Sequence, residues 1–326
     1  MQCRKCVLAE NRPDVWINED GVCNFCVDFE KRKGVKDTAP LLESELIKIL
    51  NKHKGKKKYD CLLMCSGGKD SVMSLYYMTK RYKLNPIVFT FDHGFENNEA
   101  VENVKNAVNI LNVDWMYFKT DFMKRVFKIA IETETKAPLC HICAIWYMDL
   151  TFDVASRYDV PLIIGGWTKG QVMELYEKGQ EYYSMSRATA EFVENHLRTI
   201  PEYKHFPRSM KEVVKNANRK GKRDVLSPHW FLHYTEEKKM EILNNELKWK
   251  APELSYPAHT TNCLMNFLSV YFSLKHFGYT HYHIEMSKLI RLGQLSRDEA
   301  LDMLQFNYDK TFLNKIAKEV SCTILK

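Results

Sequence analysis

The chain has 326 residues, a mass of 38.4 kDa and a net charge of +7, enough length for one large domain or two modest ones. Hydrophobic residues make up 45% and charged residues 27%, which excludes collagen-like, low-complexity and wholly disordered proteins. The longest apolar-looking stretch, 264–277, has 14 residues and includes Lys275 and His276. It is shorter than the ~20 residues of a membrane-spanning helix. The first residues contain no apolar segment, so we expect no secretory signal, no membrane span and a cytoplasmic location.

The excess positive charge lies in one segment. Residues 204–223 contain eight Lys or Arg and one acid, Glu212, a net +7, while the rest of the chain is balanced. This segment could hold phosphate groups, with Arg187, Lys204 and Arg208 as candidates. We interpret most of its other lysines as a solvated helix face.

The first motif is a pair of Cys-x-x-Cys sequences, Cys3/Cys6 and Cys23/Cys26, separated by 16 residues. This spacing is typical of a structural zinc site, in which four thiolates close the coordination shell. The metal would contribute folding free energy to a segment with few apolar residues. An iron–sulfur cluster, four unrelated thiols or a knuckle that contacts RNA are the weaker alternatives.

The next motif follows an apolar run, 59–65, that predicts a buried strand. The sequence continues as Ser-Gly-Gly-Lys-Asp-Ser, 66–71, and then shows helical spacing over 72–78. A strand, a glycine-rich turn and a helix N-terminus form an anion site, because backbone amides and the helix dipole favour phosphate. In that site Ser66 and Ser71 can donate to phosphate, Lys69 supplies charge, and Asp70 orients Mg²⁺ or caps the turn. The spacing differs from that of the P-loop of kinases and GTPases.

Further strands are predicted at 86–94, 114–118 and 161–166, with a helix at 97–111 and another at 144–158. Alternating strands and helices indicate a parallel sheet with a ligand crevice at its carboxyl edge. The region 171–260 is polar and poorly periodic, and helices are predicted at 263–277, 281–292 and 296–304. The last of these begins with a capping box at Ser296.

A third Cys-x-x-Cys, Cys140/Cys143, precedes the helix predicted at 144–158, and Cys263 is a distant single cysteine. Three thiolates leave one iron of a cluster open to an exogenous ligand. A redox disulfide or catalytic thiols, or buried cysteines that act as small hydrophobes, are the alternatives.

The sequence 66–71 resembles the PP-loop ATP pyrophosphatases, which adenylate a carbonyl oxygen, release pyrophosphate and let a nitrogen or sulfur nucleophile displace AMP. The resemblance implies an α/β, Rossmann-like fold of the adenine nucleotide alpha hydrolase type. It also assigns nucleotide and Mg²⁺ contacts, with Lys69 and Asp70 acting in catalysis as well. These nucleotide-binding residues are Ser66, Gly67, Gly68, Lys69, Asp70, Ser71, Thr90, Phe91, Asp92 and Gly165.

Two branches of that superfamily share further motifs with this chain. The cysteines 140, 143 and 263 resemble the [4Fe–4S] ligands of tRNA-thiolating enzymes, which implies that Cys140 and Cys143 hold a cluster or act on the transferred atom. The paired N-terminal knuckles and the tail 289–300 look like the N-acetyl sugar amidotransferase branch of surface-polysaccharide and nonulosonic-acid synthesis. That likeness extends from the first cysteine to about residue 304.

The expectation is therefore a zinc knuckle at 1–35, a PP-loop core at 36–175 and a mostly helical substrate or partner region at 176–326. The expected activity is ATP-dependent replacement of a carbonyl oxygen by nitrogen on a nucleotide-activated or free N-acetyl sugar, with ammonia from a separate glutaminase subunit. The alternatives are a [4Fe–4S]-dependent sulfurtransferase acting on tRNA or a small molecule, and a non-catalytic zinc-knuckle RNA-binding module.

Overall fold

The computed structural model describes residues 1–31, 42–171, 183–232, 234–257 and 263–324. The domain boundaries expected near residues 35 and 175 lie outside these ranges, so the division into three parts stays a prediction. No helix among the described residues is long and apolar enough to cross a membrane.

The core is a five-stranded sheet of order β3-β2-β1-β4-β5 in which every neighbouring pair is parallel. The first four strands confirm the predicted runs, and β5 lies in the region that we expected to be mostly helical. The chain progresses in one direction from β1 to β3 and in the other from β4 to β5. The carboxyl ends of β1 and β4 therefore border the crevice where such sheets bind ligands. The strands are β1 (Cys61–Met64), β2 (Pro86–Asp92), β3 (Asp114–Lys119), β4 (Leu162–Ile164) and β5 (Asp224–Leu226).

Helices cover both faces of this sheet, which explains why β1 and β2 are apolar at nearly every position. Leu62 and Met64 belong to the cluster that includes residues of α5 and α6. Leu63, on the opposite face, packs with residues of α3, α4 and α9. The helices up to β5 and the one that follows it are α1 (Asn24–Lys31), α2 (Glu43–His53), α3 (Lys69–Tyr76), α4 (Asn98–Leu111), α5 (Phe122–Glu132), α6 (Leu139–Arg157), α7 (Tyr183–Phe192), α8 (Met210–Arg219) and α9 (Glu236–Leu247).

The C-terminal part is helical, as expected. It contains α10 (Met265–Phe277), α11 (His281–Arg291), α12 (Arg297–Met303) and α13 (Lys310–Lys318). The predicted capping box is present, since the Ser296 side chain accepts from the Glu299 amide and the Glu299 carboxylate accepts from the Ser296 amide. The sequence analysis did not predict α13.

The N-terminal segment packs against this helical part. The Val7 amide donates to Ser287 Oγ at 3.3 Å, and Arg297 Nε donates to the Cys3 and Cys6 carbonyls at 3.3 and 3.1 Å. Its buried cysteines share an apolar cluster with Phe277 and other residues of the C-terminal part. The two ends of the chain therefore meet.

Candidate active site and metal centres

The glycine-rich turn after β1 has a conformation that requires glycine. Gly67 has a φ of +82°, and a Cβ atom there would lie 2.0 Å from the Ala100 carbonyl oxygen. The Gly67 carbonyl accepts from Trp249 Nε1 at 2.9 Å and from Asn103 Nδ2 at 3.2 Å. Helix α3 begins at Lys69, three residues before the helical spacing predicted at 72–78. The residues predicted to bind phosphate thus include the first turn of a helix, whose amides favour an anion.

Ser71 stabilises the turn from within. Its Oγ accepts from the Ser66 amide at 3.2 Å and donates to the Gly68 carbonyl at 3.0 Å. A Cβ atom on Gly166, which follows β4, would lie 2.5 Å from the Ser71 amide nitrogen. Gly165 is placed differently from Gly166, because a Cβ atom there would meet the Trp167 ring at 2.5 Å. Gly166 therefore makes the close approach to the turn, and the nucleotide contact of Gly165 stays a prediction.

A network of charged side chains surrounds Asp70. Lys239 Nζ lies 2.8 Å from Asp70 Oδ1 and 2.6 Å from Glu236 Oε1, and Lys69 Nζ lies 2.7 Å from Glu236 Oε2. Burial raises the pKa of Asp70. The positive charge of Lys239, with smaller contributions from His229 and Lys69, outweighs this effect, and the pKa of Asp70 lies below its usual value. Asp70 is therefore an ionised carboxylate beside two ammonium groups.

The sequence analysis missed Lys239 and Glu236, and it missed His229, whose Nε2 lies 2.8 Å from the Asp70 carbonyl oxygen and 3.1 Å from Ser74 Oγ. These residues follow the turn by more than 150 positions, in a region without clear periodicity. The sequence does contain one signal for the helix that carries Glu236 and Lys239, namely Thr235, which caps α9 by accepting from the Lys238 amide.

Glu285 of α11 supplies an acid next to the loop after β4, where the local sequence 165–168 contains none. Its carboxylate accepts from Thr168 Oγ1 at 2.7 Å and from Gln171 Nε2 at 3.0 Å. Burial, together with the nearby negative charge of Asp70, raises the pKa of Glu285 to about 7. A carboxyl group near the turn thus changes protonation near neutral pH.

The three residues predicted to line the adenosine differ in accessibility. Thr90 Oγ1 is buried between the Cys65 carbonyl, to which it donates at 2.7 Å, and Trp115 Nε1, from which it accepts at 3.0 Å. Phe91 is buried, with its ring stacked 5.5 Å from that of Tyr147. Asp92 alone of the three lines a cavity of about 310 Å³, shared with Glu96, Tyr117 and Lys119 among others.

Asp92 is fixed at the edge of this cavity. It accepts from the Gly94 amide at 2.6 Å and from the Tyr117 hydroxyl, and Lys119 Nζ lies 3.2 Å away. Burial acts against ionisation, but these partners, Tyr117 first, hold the pKa of Asp92 below its usual value. This end of β2 therefore offers a carboxylate and a cation to a polar ligand.

The second cysteine group consists of Cys140 and Cys143, which lie in one helix, and Cys263, which precedes another. Cys140 and Cys143 lie in the first turn of α6, which begins at Leu139, so the pair is inside the helix and not before it as predicted. The backbone of Cys263 pairs with that of Glu96 in an isolated antiparallel β-bridge, and the Leu264 amide donates to the Phe95 carbonyl at 2.9 Å. Burial raises the pKa of the Cys263 thiol well above its usual value, and Glu96, Cys140 and Cys143 raise it further. Cys140 contacts α10, the helix that Cys263 precedes, because its amide donates to Ser269 Oγ at 3.0 Å and its Sγ lies 3.5 Å from Asn266 Oδ1.

The first cysteine group is arranged as a metal site. The Sγ atoms of Cys3, Cys6, Cys23 and Cys26 all lie within 4.8 Å of one another, and all four residues are buried. The Cys6–Cys23 and Cys3–Cys26 sulfur separations are 3.6 and 4.0 Å. With Zn–S bonds of about 2.3 Å, the edge of a tetrahedral site is about 3.8 Å. The four residues therefore have the geometry of one tetrahedral metal site, and zinc as its occupant stays a prediction.

The fold and the turn agree with the class expected from the sequence. A parallel sheet with this strand order and the sequence Ser-Gly-Gly-Lys-Asp-Ser between β1 and α3 form the Rossmann-like arrangement that the resemblance to PP-loop proteins implies.

Comparison with known proteins adds a family match. Residues 261–324 match the family described as "LPS biosynthesis protein WbpG-like, C-terminal domain". An uncharacterized protein of Methanocaldococcus jannaschii, MJ1599, is 27% identical over 307 residues, covering 94% of this chain and 93% of that protein. The family match covers the C-terminal helices from residue 261 to residue 324, so the similarity to the WbpG-like family is established for that part of the chain.

Solved structures show only low similarity. The U34-tRNA thiolase NcsA from Methanococcus maripaludis with its [4Fe-4S] cluster has 16% identity, a TM-score of 0.38 and coverage of 94% of this chain and 90% of that one. The NMN synthetase from Francisella tularensis has 12% identity, a TM-score of 0.40 and coverage of 87% and 96%. At these scores the likenesses assign no activity to this chain.

Proposed function

We propose that this protein is an N-acetyl sugar amidotransferase that uses ATP and forms AMP and pyrophosphate. The observation that carries the proposal is the combination of the glycine-rich turn with a C-terminal region that matches an LPS-biosynthesis family over residues 261–324. The acceptor would be the acetamido group of a nucleotide-activated or free N-acetyl sugar.

In the proposed reaction the acetamido oxygen attacks the α-phosphorus of ATP and pyrophosphate leaves. Ammonia then adds to the activated carbon, and AMP leaves with the former amide oxygen, which gives an acetamidino group. The backbone at Gly67 and Gly68 and the hydroxyl of Ser66 bind phosphate, and Lys69 stabilises the charge that develops at the α-phosphate. The ammonia comes from a partner glutaminase.

Asp70 has the chemistry for a magnesium ligand, because it is an ionised carboxylate at the N-terminus of α3, and hard oxygen donors suit Mg²⁺. The ion would neutralise pyrophosphate charge and orient the leaving group. Binding of ATP phosphates would also compete with Glu236 for Lys69, whose ammonium group contacts Glu236 in the free protein.

The test is a coupled assay with ATP, Mg²⁺, isotopically labelled ammonium and a panel of N-acetyl sugar nucleotides. We expect sugar-dependent release of AMP and pyrophosphate, and label in the product by mass spectrometry. Asp70→Asn should abolish both. The matched control is Asp302→Asn, a change on the exposed side of α12. Pyrophosphate release that needs no N-acetyl sugar, or that yields no labelled product with any of them, would overturn the proposal.

A second candidate function, sulfur transfer to tRNA or a small molecule, is favoured by the contacts of Cys140 with Ser269 and Asn266 of α10, the helix that Cys263 precedes. A [4Fe–4S] cluster on these three thiolates would leave one iron open for sulfide. Under this function, protein purified without oxygen contains iron and acid-labile sulfide, and pyrophosphate is released with sulfide and tRNA in place of ammonium and sugar.

A further inference from the structure

Three side chains from two distant parts of the chain converge near the carboxyl end of β2. His93 and Glu96 follow that strand, and Cys263 precedes α10. Their ligand atoms all lie within 4.8 Å of one another. His93 Nε2 is 3.5 Å from Cys263 Sγ and 3.5 Å from Glu96 Oε1. One nitrogen, one oxygen and one sulfur therefore face a common point.

The two separations from Nε2 match the edges of a tetrahedral zinc site. With Zn–N of about 2.05 Å, Zn–S of about 2.3 Å and Zn–O of about 2.1 Å, tetrahedral angles give an N–S edge of about 3.6 Å and an N–O edge of about 3.4 Å. Direct hydrogen bonding explains the arrangement less well. A ring nitrogen carries either one proton or one lone pair, so Nε2 forms a hydrogen bond with one partner at a time, and 3.5 Å is long for a bond to the Glu96 oxygen.

The backbone fixes this arrangement. An isolated bridge pairs Glu96 with Cys263, and the Leu264 amide donates to the Phe95 carbonyl at 2.9 Å. The His93 side chain is 4% exposed, and its Nδ1 atom has no hydrogen-bond partner among the described residues. The ring is thus held in the interior, with Cys263 and Glu96 at its Nε2 atom.

We propose that His93, Glu96 and Cys263 bind one mononuclear zinc ion, separate from the four-cysteine centre. Mixed nitrogen, oxygen and sulfur donors suit zinc better than magnesium or calcium, which prefer oxygen alone. Three protein ligands leave a fourth position, as in catalytic zinc sites. Glu96 also lines the cavity of about 310 Å³, so one of the three ligands borders a space that can hold a small molecule.

This proposal rests on geometry and does not depend on the proposed function. It does conflict with the iron–sulfur alternative, because both need the Cys263 thiolate. The two sites share that one ligand and differ in the others, since the cluster needs Cys140 and Cys143 while the zinc site needs His93 and Glu96. Variants of Cys140 or Cys143 therefore test the cluster, and variants of His93 or Glu96 test the zinc site.

The experiment measures zinc, iron and acid-labile sulfide in the full chain purified without oxygen, before and after dialysis against excess Zn²⁺. We expect the wild type to hold one zinc ion more than His93→Gln or Glu96→Gln. We expect Cys140→Ser to keep the wild-type zinc content. Zinc retained at the four-cysteine centre in each variant, together with an unchanged circular dichroism spectrum, shows that the protein is folded.

Cobalt substitution gives a second readout, because a thiolate ligand produces a charge-transfer band whose intensity falls when Cys263→Ser removes the sulfur. The proposal is wrong if wild-type protein holds zinc at the four-cysteine centre alone. It is equally wrong if His93→Gln and Glu96→Gln keep the full metal content. Iron and sulfide that disappear in Cys140→Ser but persist in His93→Gln would replace it with the cluster.

Discussion

Replacing Lys239 by Met should destabilise the protein by leaving the Asp70 carboxylate without its main cationic partner. Lys239 Nζ lies 2.8 Å from Asp70 Oδ1, and the two side chains are 9% and 20% exposed. At this distance and an effective dielectric constant of about 20, the attraction is about 6 kcal/mol, and desolvation offsets part of it. Removing one partner of a buried ion pair typically costs about 3–5 kcal/mol. Because Asp70 is partly exposed, we expect Lys239→Met to lower the free energy of unfolding by about 3 kcal/mol, the lower end of that range.

The loss should depend on pH in a defined direction. The pKa of Asp70 lies below its unfolded value in the wild type, so the pair stabilises the fold above about pH 4 and this contribution disappears as pH falls through the lower folded pKa. Without Lys239, burial favours the protonated carboxyl group. The difference in stability between wild type and Lys239→Met should therefore be largest near neutral pH and shrink as pH approaches 4.

The assay is urea unfolding of the wild type, Lys239→Met, Asp70→Asn and the double variant, followed by circular dichroism. The double variant should recover a large part of the loss, because no unpaired charge remains. Lys238→Met, on the exposed side of α9, is the matched control and should change little. Single-variant effects that add to within about 0.5 kcal/mol would refute the reasoning, since they would mean that the two groups do not interact.

Gly67→Ala should abolish ATP binding measured by calorimetry. Gly55→Ala should retain ATP binding, because Gly55 also has a positive φ but has nothing within 4 Å of its Cβ position. Equal binding by the two variants would contradict the steric argument. Glu285 has a pKa raised to about 7, so wild-type stability should fall as pH rises from about 4.5 to 7, and this component should be missing in Glu285→Gln. Chelation should lower the melting temperature of the wild type more than that of Cys23→Ser, which has already lost a ligand, and an unchanged wild-type melting temperature in the presence of chelator would exclude a structural metal at the N-terminal centre.

Much of the fold could be predicted from the sequence because the relevant signals are local. The strands at 61–64 and 86–92 are fully buried, so each is a continuous apolar run with a turn at its end. The capping box at Ser296 is likewise a pattern within four residues. Strand β5 has only three residues, too few to show a period, and its place beside β4 follows from tertiary pairing.

The site was only partly predictable, because only some of its residues belong to local sequence motifs. The glycine-rich turn and the four-cysteine motif are contiguous or regularly spaced, and the structure brings their residues together. Lys239 and Glu285 reach the turn through the packing of α9 and α11, which no spacing in the sequence encodes. The placement of Thr90 and Phe91 depends on neighbours in adjacent elements, Trp115 and Tyr147, that fill the space around them.

The C-terminal helices give a physical reason for the N-terminal centre to matter to the nucleotide site. Arg297 binds the carbonyls of Cys3 and Cys6, and Ser287 of α11 accepts from the amide of Val7. The same helix carries Glu285, which fixes the loop after β4 through Thr168. Gly166 in that loop lies against the backbone of the phosphate-binding turn. A continuous set of contacts therefore joins the four sulfurs to the turn, so a metal ion bound by these sulfurs would also hold α11 in place.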